Sequence, residues 1–284
     1  MASKTWNVDS LQMKRGTTAK WKANTTPLKK GEIGIDTDLG IFKIGDGTSL
    51  WSALKLMFEP KGRLEDYSWS DIDTISQAGL APKYFNVGDE KNITLSTGES
   101  VTLVILGFSH ELLSGSNYDK AGITFGMKHL LATIYPMTSS NTNAGGWERS
   151  VMKSSTMATL LSYLPSDLKS AIKTVEKNAS AGSQSTTITT STDSLFLFSE
   201  IEVFGTTINS VAGEGEQYEY FKKFVPASSS RIRNLSNGTG SATTWWLRSP
   251  RVSNSTSFCA VNGYGTASNI NASNSRAVAF GFCI

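Results

Sequence analysis

The chain has 284 residues, 39% apolar and 18% charged, with 25 Gly, 7 Pro and a formal net charge of +3. That length buries a real core in one or two domains, and the composition excludes a disordered chain. A balance so near neutral, with no Lys/Arg cluster interleaved with aromatics, argues against a nucleic-acid partner, and the longest apolar run, VTLVILGF from Val101, has the length of a strand rather than of a membrane span.

The opening MASKTWNVDS has no apolar region of a secretory signal, so synthesis and folding in a cytoplasm are expected, without membrane insertion. The six cations between Lys14 and Lys30 are followed by Glu32, Asp36, Asp38 and Asp46 and read as a solvated face. Up to about residue 58, Gly/Asp turn signals separate short apolar pieces such as EIGI and IFKI, a pattern of short strands that predicts a small all-β domain over residues 1–58. Residues 59–82 read as a linker and one short helix, capped by Ser70, with Ile72, Ile75 and Ser76 at helical spacing and Gly79 as its stop.

The second unit, residues 83–284, reads as α+β. KNITLSTGESVTLVILGF predicts a hairpin turning at Thr97-Gly98-Glu99. Helices are predicted over residues 126–134, 148–164 and 166–177, a strand in the Thr-rich stretch ending at LFLF, a short helix over residues 216–224, and several short strands from Thr243 onward. Trp245 and Trp246 are assigned to the core, as are Cys259 and Cys283, which read as small buried hydrophobes; a disulfide between them stays open, and cytoplasmic synthesis disfavours it.

Chemistry-bearing motifs are sparse. His110 and His129 have no metal-ligand spacing, and His110 beside Glu111 reads as a structural hydrogen-bonding pair. Asp36 and Asp38 lack the further oxygens of a calcium loop and read as turn residues, and the Gly-rich stretches near Gly213 and Gly238 lack a phosphate-binding context. A non-enzymatic chain without cofactor or metal is therefore expected. Residues 251–276 stand out, because 13 of these 26 are Ser, Thr or Asn and the only charges are Arg251 and Arg276. Composition alone fits surface turns as well as a binding face. The apolar flanks TTWWLRSP and AVAFGFCI favour the binding face, since they would hold these polar groups on a rigid frame.

Two stretches resemble known families. LQMKRGTTAKWKAN and LKKGEIGIDTDLGIFKIGDGTSLWSAL look like the N-terminal domain of the phage major tropism determinant, which implies a β-prism-like module that trimerises and attaches to other tail proteins. From about Trp69, the motifs ITFGMKHLLATIYPM, SEIEVFG, WWLRSP and VAFGFC resemble a domain of gut prophages and bacteria that is similar to C-type lectin folds. Several such domains are variable proteins of diversity-generating retroelements, in which adenines of a template repeat are rewritten. The resemblance implies a phage receptor-binding protein, displayed on the virion tail as a homotrimer, with a host-surface protein or glycan as ligand and a variable region at about residues 245–284.

Asn is the unmutated reading of a rewritten codon, and the resemblance assigns the exposed, diversified positions to Arg251, Asn254, Ser255, Ser257, Ala260, Asn262, Tyr264, Ser268, Asn269, Ile270, Asn271, Asn274 and Arg276. Val261, Gly265, Ala272 and Val278 would be fixed core between them. The alternatives are an enzyme of the formylglycine-generating type on the same scaffold, using the two cysteines, and a structural tail protein with no variable face. Calcium-dependent sugar binding is not expected, since the tail lacks a Glu-Pro-Asn or Gln-Pro-Asp loop.

Overall fold

The computed structural model describes residues 13–38, 40–57, 62–223 and 227–284. The opening MASKTWNVDS, the expected boundary at residues 58–59 and the expected helix end at Phe224 lie outside the described residues. The chain divides into two compact units, Met1–Lys61 and Gly62–Ile284.

In the first unit, β1 (Lys14–Gly16) runs parallel to β2 (Ile33–Asp36), which pairs antiparallel with β3 (Ile41–Ile44). The strands-only expectation is corrected by helix α1 (Thr18–Ala23). Thr17 caps it by accepting from the Lys20 amide, and its Trp21 stacks on Trp51 with ring centroids 4.1 Å apart and donates to the Ile35 carbonyl at 2.7 Å. Burying one large ring on a three-stranded sheet selects a helical turn over a fourth strand. Asp36 and Asp38 form the expected turn, the Asp38 amide donating to Asp36 Oδ1 at 3.0 Å.

The second unit is mixed α+β with several small sheets. Helix α2 (Trp69–Gln77) begins two residues earlier than expected, because Ser68, not Ser70, forms a capping box with Asp71. It is followed by α3 (Ala81–Tyr84) and by the expected hairpin of β4 (Glu90–Thr94) and β5 (Ser100–Phe108). β5 then pairs with β6 (Ile123–Met127).

Three helical expectations change. Residues 123–127 are strand rather than the start of a helix, and beyond them the Leu130 and Leu131 amides bond the carbonyls of Asn234 and Val278, which no helix would allow. Residues 148–164 hold a π-helical stretch, Met152–Met157, running into α4 (Ala158–Tyr163). Helix α5 is only Ser166–Ala171, and residues 175–180 form strand β7 (Val175–Ser180), paired with β8 (Ile188–Asp193). After β8 come α6 (Glu200–Phe204), which sequence reasoning missed, and α7 (Glu219–Lys222).

The C-terminal strands are β9 (Trp245–Pro250), β10 (Ser257–Val261), β11 (Ala267–Asn271) and β12 (Gly281–Cys283). β12 joins the larger sheet in the order β12-β6-β5-β4, and the other three form a separate antiparallel sheet in the order β11-β10-β9. Trp245 and Trp246 are fully buried, and Cys259 and Cys283 are buried and free.

A chain of buried charges ties these layers together. Arg248 on β9 makes a two-pronged pair with Glu202 on α6, Nη1 to Oε2 at 2.5 Å and Nη2 to Oε1 at 2.8 Å. Lys177 on β7 reaches Glu202 at 2.6 Å and Glu111 at 2.8 Å, while the Tyr218 hydroxyl donates to Glu111 at 2.5 Å and His110 Nδ1 lies 2.9 Å from the same carboxylate. Burial opposes ionisation of Glu202, yet Arg248 and then Lys177 outweigh it and hold the carboxyl below its ordinary value. Glu111 is likewise lowered, burial being outweighed by Lys177 and His110.

Glu214 is the exception. Its carboxyl accepts from the Ser180 amide at 2.8 Å and from Ser249 Oγ, and burial pushes its pKa from 4.5 to about 7. A folded value above the ordinary one means that its stabilising contribution is complete below pH 4.5 and is lost as the pH rises toward about 7. Glu214→Gln should therefore gain on the native protein between pH 5 and pH 8, by up to about 3 kcal/mol in the free energy from denaturant titrations at the two pH values. An unchanged difference between the two proteins at both pH values would contradict this assignment.

Candidate functional site

The sheet of β9, β10 and β11 is the frame of the polar stretch. Every residue of β9 and β10 is buried, whereas β11 is half-exposed along most of its length and ends on the exposed Asn271. β9 and β11 are the two end strands of this sheet, but β9 is bonded on its far side to Ala277 and Phe198, while β11 has no such neighbour among the described residues.

Between β9 and β10, the loop of residues 251–256 is held from outside by Asn143. Its Nδ2 donates to the carbonyls of Ser257 at 2.8 Å and Asn254 at 3.0 Å, its backbone amide donates to the Ser255 carbonyl at 2.8 Å, and its Oδ1 accepts from the Ser183 amide at 2.8 Å. Two glycines make this grip feasible. A Cβ on Gly182 would sit 1.8 Å from the Asn143 carbonyl oxygen, and one on Gly146 would sit 1.9 Å from that of Ser180, so these backbones meet only without side chains. Within the loop, Asn254 Oδ1 accepts from the amides of Thr256 at 3.1 Å and Ser257 at 2.9 Å.

The turn from β10 to β11 is built on Asn262, whose Oδ1 accepts from the amides of Tyr264 at 3.0 Å and Thr266 at 3.1 Å. The turn carries Tyr264 outward with 82% of its surface exposed. Arg251 lies across the sheet, its Nη1 donating to Asn269 Oδ1 at 2.7 Å, and Ser257 Oγ donates to Asn271 Oδ1 at 3.2 Å. Arg276 is anchored through its backbone, paired with Tyr135, and its Nη1 donates to the Ser275 carbonyl at 2.7 Å.

The structure therefore brings together Arg251, Asn254, Asn262, Ser268, Asn269, Ile270 and Arg276 as half-buried groups, with Ser255, Tyr264, Asn271 and Asn274 exposed. Ile270 also packs against the main core. Two expected face positions are corrected: Ser257 and Ala260, 2% and 0% exposed, lie inside, because β10 is covered on both faces. Val261, Ala272 and Val278 are fully buried, and Gly265 is buried at a φ of +75°. Sequence reasoning missed Asn143 and Ser183. The signal available was the pair Gly145-Gly146 after Asn143 together with Gly182 before Ser183.

The two thiols carry no reactive character. Burial pushes the pKa of Cys259 upward, reinforced by Glu200 and Glu214, and burial does the same for Cys283. Among the described residues, no group of three or more His, Cys, Asp or Glu side chains is arranged to hold a metal ion, and no helix is long and apolar enough to cross a membrane.

Asn143→Ala should leave the Asn254 carbonyl without its donor, while that of Ser257 keeps the Arg251 amide, and should lower the local stability of the loop by about 1–3 kcal/mol. Hydrogen exchange would show the loss as faster exchange of loop 251–257 at unchanged exchange of β5 and β6; unchanged loop exchange would refute the clamp.

Comparison with known proteins adds to this geometry. Residues 11–49 match the major tropism determinant N-terminal domain, which makes the chain a phage tail-related protein. A curated relative, the hyaluronoglucosaminidase of Streptococcus pyogenes phage H4489A, is 42% identical over 51 residues, 18% of this chain and 14% of the relative, so the chain spans only a small part of that protein's length. A full-length streptococcal bacteriophage hyaluronidase solved with unsaturated hyaluronan octasaccharides is 40% identical over 20% of this chain and 16% of its own, with a TM-score of 0.18. A group A streptococcal phage-encoded tail fibre showing hyaluronan lyase activity is 25% identical over 24% of each chain, with a TM-score of 0.16. The expectation of a non-enzymatic chain is corrected by these findings, since the relatives are named for enzymatic activities. Residues 122–284, more than half of the sequence, match the family described as a domain of unknown function (DUF6273), and the chain belongs to that family.

Proposed function

We propose that this protein is a receptor-binding protein of a phage or prophage tail tip, whose C-terminal unit is a C-type lectin-like fold presenting a diversified ligand-binding face. The observation that carries this reading is the contrast within one sheet: β9 and β10 are buried at every position, while the adjoining loops and β11 offer neutral Ser and Asn groups and the exposed Tyr264 to solvent. Short polar side chains on a rigid frame lose little entropy on binding. The face comprises Arg251, Asn254, Ser255, Asn262, Tyr264, Ser268, Asn269, Ile270, Asn271, Asn274 and Arg276, rewritten by a diversity-generating retroelement over about residues 245–284.

The N-terminal unit attaches the protein to other tail proteins and holds it as a homotrimer on the virion. One solved relative is described as a hyaluronidase trimer, at 25% identity over 24% of this chain. Three modest sites on one particle bind a host surface by avidity. The ligand is a host-surface protein or glycan.

A second reading rests on the names of the relatives: the tail protein acts on a host-surface polysaccharide. Incubating the full chain with hyaluronan and following both unsaturated products by absorbance and new reducing ends by a colour reaction would reveal elimination or hydrolysis, and no change in either would remove cleavage of hyaluronan from that reading.

For the leading proposal, Tyr264→Ala should lower adsorption of the trimer to host cells about tenfold without changing its melting temperature, since the ring makes little contact with the fold. Sequencing the locus in related genomes should reveal a near-copy of the last stretch of the gene and a reverse transcriptase, with copies differing only at adenines. Equal variation across the whole gene would sink the diversification claim.

A further inference from the structure

We infer that the outer edge of β11 is a docking rail for an extended, carboxylate-bearing polypeptide segment, which adds to the sheet as a fourth strand; this rests on the proposed ligand-binding face. The phase of the β10–β11 ladder follows from its two ends, where the Asn262 amide donates to Thr266 and the Ala272 amide donates to Thr256. In an antiparallel pair, bonded and non-bonded residues alternate. With Ser268 opposite Ala260 and Ile270 opposite Phe258, those residues spend their backbone groups on β10. Ala267, Asn269 and Asn271 then direct their N–H groups outward, and Ala267 and Asn269 their carbonyls too. Among the described residues nothing bonds these five groups, while the Asn271 carbonyl accepts from the Asn274 amide at 3.0 Å.

The other outer edges of the two larger sheets are covered or guarded by charge. β9 is bonded along its far side through Trp246 to Ala277 and Arg248 to Phe198. β12 exchanges bonds with Phe196 through Gly281, and its Cys283 carbonyl accepts from Lys173. β4 is guarded rather than closed: among its outward backbone groups the Asn92 amide is taken by Glu65 Oε2 of the turn Leu64–Asp66 at 2.8 Å, and the strand carries the charges of Glu90 and Lys91. β11 is open and unguarded, since its sequence ASNIN has none of the Lys, Pro or bulge devices by which proteins block strand addition.

The occupant follows from the same geometry. Outward donors two residues apart repeat at about 6.8 Å, the repeat of another extended backbone. The charge is one-sided, because residues 227–284 hold five arginines and no Asp or Glu. Arg251 lies beside the rail, with Nη1 on Asn269 and an Nε that has no partner. A carboxylate on the docked strand answers that charge.

The test uses the full-length protein and a blocked peptide of about eight alternating Thr and Glu residues, beside the same peptide N-methylated at alternate amides. Hydrogen exchange should slow at residues 267, 269 and 271 with the first peptide and not with the second. Fluorescence anisotropy should give about tenfold weaker binding for Asn269→Pro, which removes an outward N–H without touching the ladder to β10. Ala267→Pro supplies the same comparison if Asn269→Pro fails to fold, and Arg251→Gln should weaken the charged peptide only.

Equal binding of the N-methylated peptide, protection located elsewhere, or no binding at millimolar peptide would overturn the proposal, as would an edge occupied by hyaluronan oligosaccharide with these prolines silent. Loss of host adsorption in Tyr264→Ala with a silent edge overturns the rail and spares the face. Silence of both overturns the face itself.

Discussion

The pairing of Arg248 with Glu202 is the constraint on which the second unit is built. Both side chains are sealed from water, and Arg248 also donates to the carbonyls of Leu197 at 2.9 Å, Asn178 at 3.0 Å and Glu214 at 2.6 Å. Its guanidinium thus spends all its donors on four separate segments. Such a pair adds little net stability over a well-packed apolar replacement, because desolvation offsets most of the attraction. It dictates placement instead: β9, α6 and β7 must meet at one point or leave a charge buried alone. The polar face therefore rests on a strand whose register is set by ions beneath it.

The same ions explain which elements were legible. The β4–β5 hairpin and the buried tryptophan pair follow from local alternation and apolarity and stand in the structure as read, and α2 stands with its cap moved from Ser70 to Ser68. Strand β7 does not look like a strand, because VEKNAS buries Lys177 where the alternation calls for an apolar side chain. Helix α6 was passed over for the matching reason: EIEVF buries both of its glutamates, Glu200 by accepting from the amides of Ile208, Asn209 and Ser210, each at 2.8 Å, and Glu202 through Arg248 and Lys177. A pattern method reads charge as surface, so it inverts where charges are the core.

At the candidate site, composition pointed to the right region and not to its inner and outer members. Ser257 differs from Ser255 and Ser268 in place and not in chemistry, since it lies on the middle strand β10 while Ser255 lies in the loop before it and Ser268 on the outer strand β11, and that is a property of sheet order. Asn143 was invisible because its partners in the loop lie more than a hundred residues away along the chain, brought near by close backbone approaches that Gly146 and Gly182 permit.

Those partners share one further property. Asn143 grips the segment through the carbonyl oxygens of residues 254, 255 and 257, and a carbonyl is the one group that every amino acid supplies, proline included. The clamp is therefore sequence-blind: it holds the path of the loop while remaining indifferent to what the loop displays. New side chains at its exposed positions leave the anchoring acceptors in place, so change of specificity and retention of the fold are mechanically uncoupled there.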